Sequence, residues 1–237
     1  YGRGLVGLCS DVDVLFLCDD RDDPHVRALA EGLLYPLWDL GLDIGHAVRG
    51  VDDSLALARD DLSTATTLLD LRWVAGDRTI LDELTSRARR GLFETGLRRF
   101  LDRLEEDRQA RHERFGGSLY LLEPEVKYGC GGLRDLDVAA WAAKARWGVE
   151  GTEGLVRHGA LLRREVDELE TAREMLWRVR IFLHERAGRR HDRLTFEDQE
   201  EIAILLGFVP GVTLAVEQFM QAYYRHARVV EQAAERM

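Results

Sequence analysis

Cysteine is scarce in this chain of 237 residues, and the long apolar runs of membrane proteins are missing. The three cysteines, Cys9, Cys18 and Cys130, lie far apart without a C-x-x-C pattern, which argues against a disulfide framework. No stretch reaches the roughly 18 uninterrupted apolar residues of a membrane span. Charge interrupts the first apolar run at Asp11, so no signal peptide is expected. These absences predict a soluble protein of the reducing cytoplasm with no membrane partner.

Basic residues are fewer than acidic ones, 33 against 43, so the formal net charge is −10. Such a chain repels a polyanion as a whole, and no cluster of basic residues with interleaved aromatics is present, so nucleic acid is not expected as a partner. A nucleoside triphosphate remains compatible, because a bound metal can neutralise it locally. Almost all of the 33 basic residues are arginine, with lysine only at Lys127 and Lys144, which is typical of a high-GC genome.

The motifs of several hydrolase classes are missing too. The sequence has no H-E-x-x-H, no zinc-ligand spacing and no G-x-S-x-G. His191-Asp192 resembles the signature of an HD phosphohydrolase, but that site needs further His and Asp ligands in a helical cage. Only His184 lies nearby in the sequence, so this function is disfavoured.

The most informative segment is the first, where a glycine-bearing stretch leads into Ser10-Asp11-Val12-Asp13 and an apolar run to Leu17. A strand over residues 12–17 would place Asp11 and Asp13 on one face, with their Cα atoms roughly 6.5 to 7 Å apart. Carboxylates at this spacing can share a divalent cation, and Mg²⁺ commonly joins one or two carboxylates to substrate phosphates. The alternative is a solvated edge strand with two ordinary surface aspartates.

The first 50 residues predict a strand–helix–strand unit of a small layered sheet, with strands at 12–17 and 42–49 and a helix at 25–40. In the second strand, alternation separates two faces. One face carries Asp43, Gly45, Ala47 and Arg49, and the other carries Ile44, His46 and Val48.

Later residues predict helices, interrupted by a glycine-rich passage at 115–132 that brackets an extended piece at 118–126. Thr195 with Asp198 matches a capping box. The passage predicts a boundary between a first domain, 1–115, and a helical bundle, 116–237. The predicted helices cover 52–59, 61 or 63–75, 79–90, 92–115, 133–147, 153–188, 196–206 and 213–236.

A series of short segments in this order resembles one known family. The segments are Tyr1-Gly2-Arg3-Gly4 with Ser10-Asp11-Val12-Asp13, Gly45-His46-Ala47-Val48-Arg49, Asp61-Leu62-Ser63-Thr64-Ala65-Thr66, Leu122-Glu123-Pro124, Gly131-Gly132-Leu133-Arg134-Asp135, and Gly188-Arg189 with Asp192-Arg193-Leu194. Together they resemble the bacterial PII uridylyltransferase/uridylyl-removing family, in its nucleotidyltransferase domain and the helical domain that follows.

The resemblance implies an α+β protein: a small mixed-sheet domain of the DNA polymerase β-type nucleotidyltransferase fold, followed by an all-helical bundle. It implies Mg²⁺-dependent transfer of UMP from UTP to a tyrosine of a PII-type nitrogen-signalling protein, with two metal ions expected. The implied catalytic residues are Asp11, Asp13 and Asp43, of which Asp11 and Asp13 bind metal. The implied nucleotide- or phosphate-binding residues are Gly2, Arg3, Gly4, Ser10, His46 and Arg49.

Each supporting residue has a plainer alternative. Asp43 can be an exposed residue at the start of a strand, Arg3 and Arg49 can form surface ion pairs, and His46 can be a packed histidine. For the chain as a whole, the alternative function is a regulatory or interaction module that keeps the nucleotidyltransferase fold without turnover.

The sequence also departs from the family pattern. The family motif opens with a further pair of small residues, which would precede Tyr1. The chain is therefore expected to be an N-terminally truncated fragment that binds nucleotide weakly. Around the second glycine-rich segment, Glu125, Tyr128 and Cys130 stand where the family usually has Asn, Glu and Pro.

Overall fold

A computed structural model describes residues 2–149 and 151–237. The chain forms two compact units, and the division along the chain falls between Phe100 and Leu101. Tyr1, the first residue of the opening motif, lies outside the described residues. No helix in the described ranges is long and apolar enough to cross a membrane.

The first unit begins with strand β1 (Val12–Leu17), helix α1 (Pro24–Asp39) and strand β2 (Ile44–Arg49). Asp23 caps α1 by accepting a hydrogen bond from the backbone N–H of His25 at 2.8 Å. The two strands pair in parallel, as a helical crossover between neighbouring strands requires. The α+β class is confirmed, and the sheet of the described residues is a parallel pair where a mixed sheet was expected.

Helices complete the first unit. Helix α3 begins with Asp61, whose carboxylate accepts from the Thr64 N–H at 2.6 Å. The prediction that it runs to residue 75 was wrong: it ends at Leu69, and Asp70 follows with its carboxylate in an ion pair. The elements are α2 (Val51–Asp60), α3 (Leu62–Leu69), α4 (Arg78–Ala88), a π-helical turn (Arg89–Glu94) and α5 (Leu97–Arg114), which continues into the second unit.

The second unit is a helical bundle, as expected, and no strand occurs among its described residues. The single helix predicted over 153–188 is two helices, because Gly159 adopts a left-handed backbone with φ +68° between them. The predicted capping box of Thr195 and Asp198 is confirmed. The helices are α6 (Leu133–Trp147), α7 (Thr152–Arg157), α8 (Arg163–Ala187), α9 (Phe196–Leu205) and α10 (Ala215–Arg236).

The core of the bundle is built from the inward faces of α8, α9 and α10. Buried side chains recur at helical spacing on each of these helices. The fully buried core residues on them are Ala172, Leu176, Val179, Leu183, Ile202, Ala203, Phe219 and Val230.

The piece expected to be extended at 118–126 forms turns and a single bridge. Glu125 forms an isolated antiparallel bridge with Arg193. The Leu194 N–H donates to the Pro124 carbonyl at 2.9 Å on one side of this bridge. The backbone bonds of this piece to residues 192–194 are therefore isolated and do not form a ladder. The sequence placed a domain boundary after residue 115, at the end of α5, whereas the two compact units divide within α5.

Candidate functional site

The predicted carboxylates lie at the amino-terminal ends of the two parallel strands. Asp13 is paired with Gly45 across the sheet, and a Cβ at Gly45 would stand 2.4 Å from Oδ1 of Asp13. Glycine thus leaves the space that the Asp13 carboxylate occupies. Both residues belong to the face that sequence alternation predicted.

The paired part of the sheet begins with Val12 and Ile44. Asp11 and Asp43 are the residues immediately before this first pair. The Val12 N–H donates to the Asp43 carbonyl at 2.9 Å, which keeps the parallel ladder running to this point. Asp11, Asp13 and Asp43 are all exposed. The structure therefore brings the three predicted catalytic carboxylates to one end of the sheet.

These side chains offer only carboxylate oxygens, which are the ligands that Mg²⁺ prefers. Within residues 2–149 and 151–237, no group of three or more His, Cys, Asp or Glu side chains is arranged to hold a metal ion by itself. A pair of protein carboxylates completed by substrate phosphates and water is a common magnesium arrangement. The donor set of Asp11 and Asp13 fits that arrangement.

A tight turn precedes the carboxylates. The Gly7 N–H donates to the Ser10 hydroxyl at 3.1 Å, and the Ser10 N–H donates to the Gly7 carbonyl at 3.1 Å. Together these two bonds close the turn immediately before Asp11. Ser10 accordingly fixes the entry to β1, in addition to any contact with a ligand.

The opening motif is anchored to the residue that follows α3. Arg3 forms an ion pair with Asp70, with Nε 3.1 Å from Oδ2. A Cβ at Gly2 would lie 1.9 Å from the Asp70 carbonyl oxygen, so only glycine fits there. Gly4 has φ +76°, a backbone that favours glycine. The ion-pair alternative weighed for Arg3 is thus observed.

His46 and Arg49 lie away from the carboxylates. The His46 ring packs edge to face on Trp38 of α1, with 5.5 Å between ring centroids, on the opposite face of the sheet from Asp13. Arg49 pairs with Leu17 at the other end of the strands, roughly 13 Å along β2 from Gly45. The structure does not assemble these two residues with the acidic end.

Sequence reasoning missed a cleft on the α1 face of the sheet. Its volume is about 460 Å³, and both charged and apolar side chains line it. Alternation already placed His46 and Val48 on one face, which was the available signal. The cleft is lined by Arg21, Arg27, Ala30, Glu31, Leu34, Tyr35, Trp38, His46 and Val48.

In the second unit, a fully buried carboxylate anchors the glycine-rich segment. Asp135 accepts from Arg111 at 2.7 Å, from His112 at 3.0 Å and from the Gly131 N–H at 2.8 Å. Burial alone would raise the pKa of Asp135, but the hydrogen bond from His112 and the charge of Arg111 hold that pKa below its usual value. Asp135 is therefore a charged residue inside the unit.

A second cluster of the same composition lies on the other side of the segment. Asp192 Oδ1 accepts from Arg180 Nε at 2.7 Å and lies 3.0 Å from His184 Nε2. The Asp192 carbonyl accepts from the Val126 N–H at 2.7 Å. Asp192 and His184 are thus engaged in an ion-pair cluster with Arg180.

Glu125 connects the two clusters. Its carboxylate accepts from the N–H groups of Tyr128 and Gly129. Burial, reinforced by the negative charge of Asp192, raises the pKa of Glu125 to about 7 despite these bonds. This carboxyl group therefore titrates near neutral pH.

The fold and the site together define a two-unit α+β protein, with carboxylates at one end of a small parallel sheet and a helical unit after it. Residues 99–237 match the family described as GlnD PII-uridylyltransferase. The chain belongs to this family. The matched residues include the whole of the second unit, so the buried clusters around the glycine-rich segment lie inside the matched region.

Curated relatives extend the similarity to the first unit. Three of them are named bifunctional uridylyltransferase/uridylyl-removing enzyme. The protein of Bradyrhizobium sp. BTAi1 is 41% identical over 97% of this chain. The protein of Cereibacter sphaeroides is 42% identical over 96%, and that of Pseudomonas aeruginosa LESB58 is 41% identical over 95%. The chain spans only about a quarter of each relative's length: 25%, 24% and 25%. No solved structure matches the chain.

Proposed function

We propose that this protein is a nucleotidyltransferase of the DNA polymerase β type that transfers UMP from UTP to a tyrosine of a PII-type signalling protein, in the cytoplasm and with Mg²⁺. The observation that carries the proposal is the seating of the Asp13 carboxylate over Gly45, beside Asp11, at the end of the parallel sheet. The names of the relatives, which cover both units, support uridylyl transfer as the reaction.

Asp11 and Asp13 would hold the metal, and Asp43 stands next to them as the third carboxylate. Bound Mg²⁺ neutralises triphosphate charge and increases the acidity of a coordinated oxygen nucleophile. Nucleotidyl transfer depends on positioning and charge neutralisation more than on covalent catalysis. The hydrogen bond from the Val12 N–H to the Asp43 carbonyl supports that positioning, because it fixes where both strands begin.

The glycine-bearing segment before β1 would receive the phosphates. Gly2, Arg3 and Gly4 precede the Gly7–Ser10 turn, and Arg3 already has an anionic partner in Asp70. A guanidinium can donate to two oxygens at once, so Arg3 can bind phosphate while it retains Asp70. His46 and Arg49 would act only on a nucleotide that reaches beyond the acidic end.

Asp11→Asn and Asp13→Asn test the proposal, with Asp39→Asn at the end of α1 as a matched control. Transfer of labelled UMP to a PII-type protein and Mg²⁺-dependent binding of UTP are measured together. Both site variants should lose transfer and metal-dependent binding, whereas Asp39→Asn should retain both.

Near-normal transfer in either site variant would refute the assignment. Unimpaired UTP binding without transfer in the wild-type protein would favour the alternative, a regulatory or interaction module that keeps the fold. Melting temperatures of all variants show whether any loss comes from unfolding.

A further inference from the structure

A basic cluster surrounds one phenol in the second unit. The Lys127 ammonium lies 4.7 Å from the centroid of the Tyr128 ring, and the Arg134 guanidinium lies 5.5 Å from it. Arg134 also stacks on Trp141 at 5.3 Å. Lys127 and Arg134 are partly exposed, so a ligand in solvent can reach them.

Hydrogen bonds to the backbone hold together the segments that carry the two cations and the Tyr128 ring. The Arg134 N–H donates to the Lys127 carbonyl at 2.8 Å, and Arg111 donates to the Tyr128 carbonyl at 3.0 Å. The Phe115 ring stacks on Tyr128, with 5.5 Å between centroids and 20° between planes. Because these contacts fix the spacing of the charges, little ordering is needed when a ligand binds.

The local field is positive. Although burial alone would raise the pKa of Tyr128, hydrogen bonds and charge from Lys127 and then from Arg134 lower it below its usual value. Asp137 accepts from Arg134 at 3.3 Å and offsets part of this charge. Glu125, which also faces Lys127, has a pKa near 7 and is partly protonated at neutral pH.

We propose that Lys127 and Arg134 form a binding site for a phosphate group, carried by a polyphosphate or a nucleotide. Lysine has three N–H donors and arginine has five. These eight donors exceed the acceptor positions on the phenol oxygen of Tyr128 and the carboxylate of Asp137. A phosphate supplies several charged acceptor oxygens for the remaining donors. This site goes beyond the proposed function, because all its groups belong to the second unit and none is a carboxylate of the sheet.

Binding of tripolyphosphate without Mg²⁺, measured by calorimetry, tests the site. Lys127→Gln and Arg134→Gln should each weaken binding about tenfold, as expected for the loss of a charge-assisted hydrogen bond. Lys144→Gln, which changes the only other lysine of the chain and lies in α6, should bind like the wild type. Asp13→Asn should also bind normally, which separates this test from that of the proposed function.

A spectroscopic readout reports on the site itself. The phenolate absorbance of wild type minus Tyr128→Phe isolates the titration of Tyr128. Saturating tripolyphosphate should move that titration to higher pH, because the anion competes for the two cations. A role of the pair confined to stability would leave the titration unmoved.

Any of the following results would overturn the proposal. They are absence of tripolyphosphate binding to the wild type, an equal loss of affinity in Lys144→Gln, or an unchanged Tyr128 titration with ligand bound. UTP should compete with tripolyphosphate and uridine should not, and equal competition by uridine would show that a base, not a phosphate, is recognised.

Discussion

The Asp13 carboxylate occupies the space in which a side chain at Gly45 would begin, 2.4 Å from the position of its Cβ. The glycine therefore decides where the Asp13 carboxylate points, although it has no functional group of its own. The shape of a strand position thus constrains the carboxylate that is paired with it.

The first prediction concerns this pair. Gly45→Ala should push the Asp13 carboxylate aside and weaken Mg²⁺-dependent UTP binding by roughly tenfold, the lower range for disturbed metal-ligand orientation. Gly32→Ala in α1 is the control, since a Cβ there meets nothing within 4 Å. Titration calorimetry measures both, and equal affinities would show that the position of the carboxylate is unimportant.

The second prediction concerns the buried carboxylate Asp135. Asp135→Ala leaves Arg111 as an uncompensated buried charge and should lower the free energy of unfolding by about 3 to 5 kcal/mol. Asp137→Ala removes a partly exposed ion pair with Arg134 and should cost about 1 kcal/mol or less. Urea denaturation measures both values. A similar cost in the two variants would contradict the role of burial.

The third prediction concerns pH. Glu125 has a folded-state pKa of about 7, above the ordinary glutamate pKa of 4.5, so the folded state binds more protons between these values. The free energy of unfolding should therefore fall as pH rises from about 4.5 to 7, by up to about 3 kcal/mol, and level off above.

Glu125→Gln should flatten this decline, because glutamine cannot ionise and still offers an oxygen to the Tyr128 and Gly129 N–H groups. Denaturation curves at several pH values compare the two proteins. A parallel pH dependence in wild type and variant would rule out Glu125 as the titrating group.

The fourth prediction uses two glycines with the same backbone. Gly131 and Gly117 have φ of +68° and +64°, but a Cβ at Gly131 would lie 2.2 Å from the Ala227 carbonyl oxygen and one at Gly117 meets nothing within 4 Å. Gly117→Ala should cost about 1 to 2 kcal/mol from backbone strain. Gly131→Ala should cost several times more or prevent folding, which thermal melting shows. Equal melting temperatures would contradict the steric argument.

Local patterns predicted several elements correctly. The alternation of residues 12–17 specified β1, and the same rule assigned Asp13 and Gly45 to one face. The capping box at Thr195 specified the start of α9. These features depend on neighbours within about four residues, so periodicity and capping chemistry are sufficient to predict them.

Other features depended on partners far along the chain. The C-terminal end of α3 and the break at Gly159 were missed, because helical propensity continues past both points while the backbone turns elsewhere. Asp135 meets Arg111 from 24 residues away, and nothing in the local sequence identifies that partner.

The sequence by itself determined the acidic strand, the helical character of the second unit and the resemblance to the family. Only the tertiary structure decided that His46 packs on Trp38 away from the carboxylates, that Arg49 lies at the far end of β2, and that two buried clusters hold the glycine-rich segment. Residue type fixes the chemistry that a side chain can perform, whereas packing and register fix which groups it can reach.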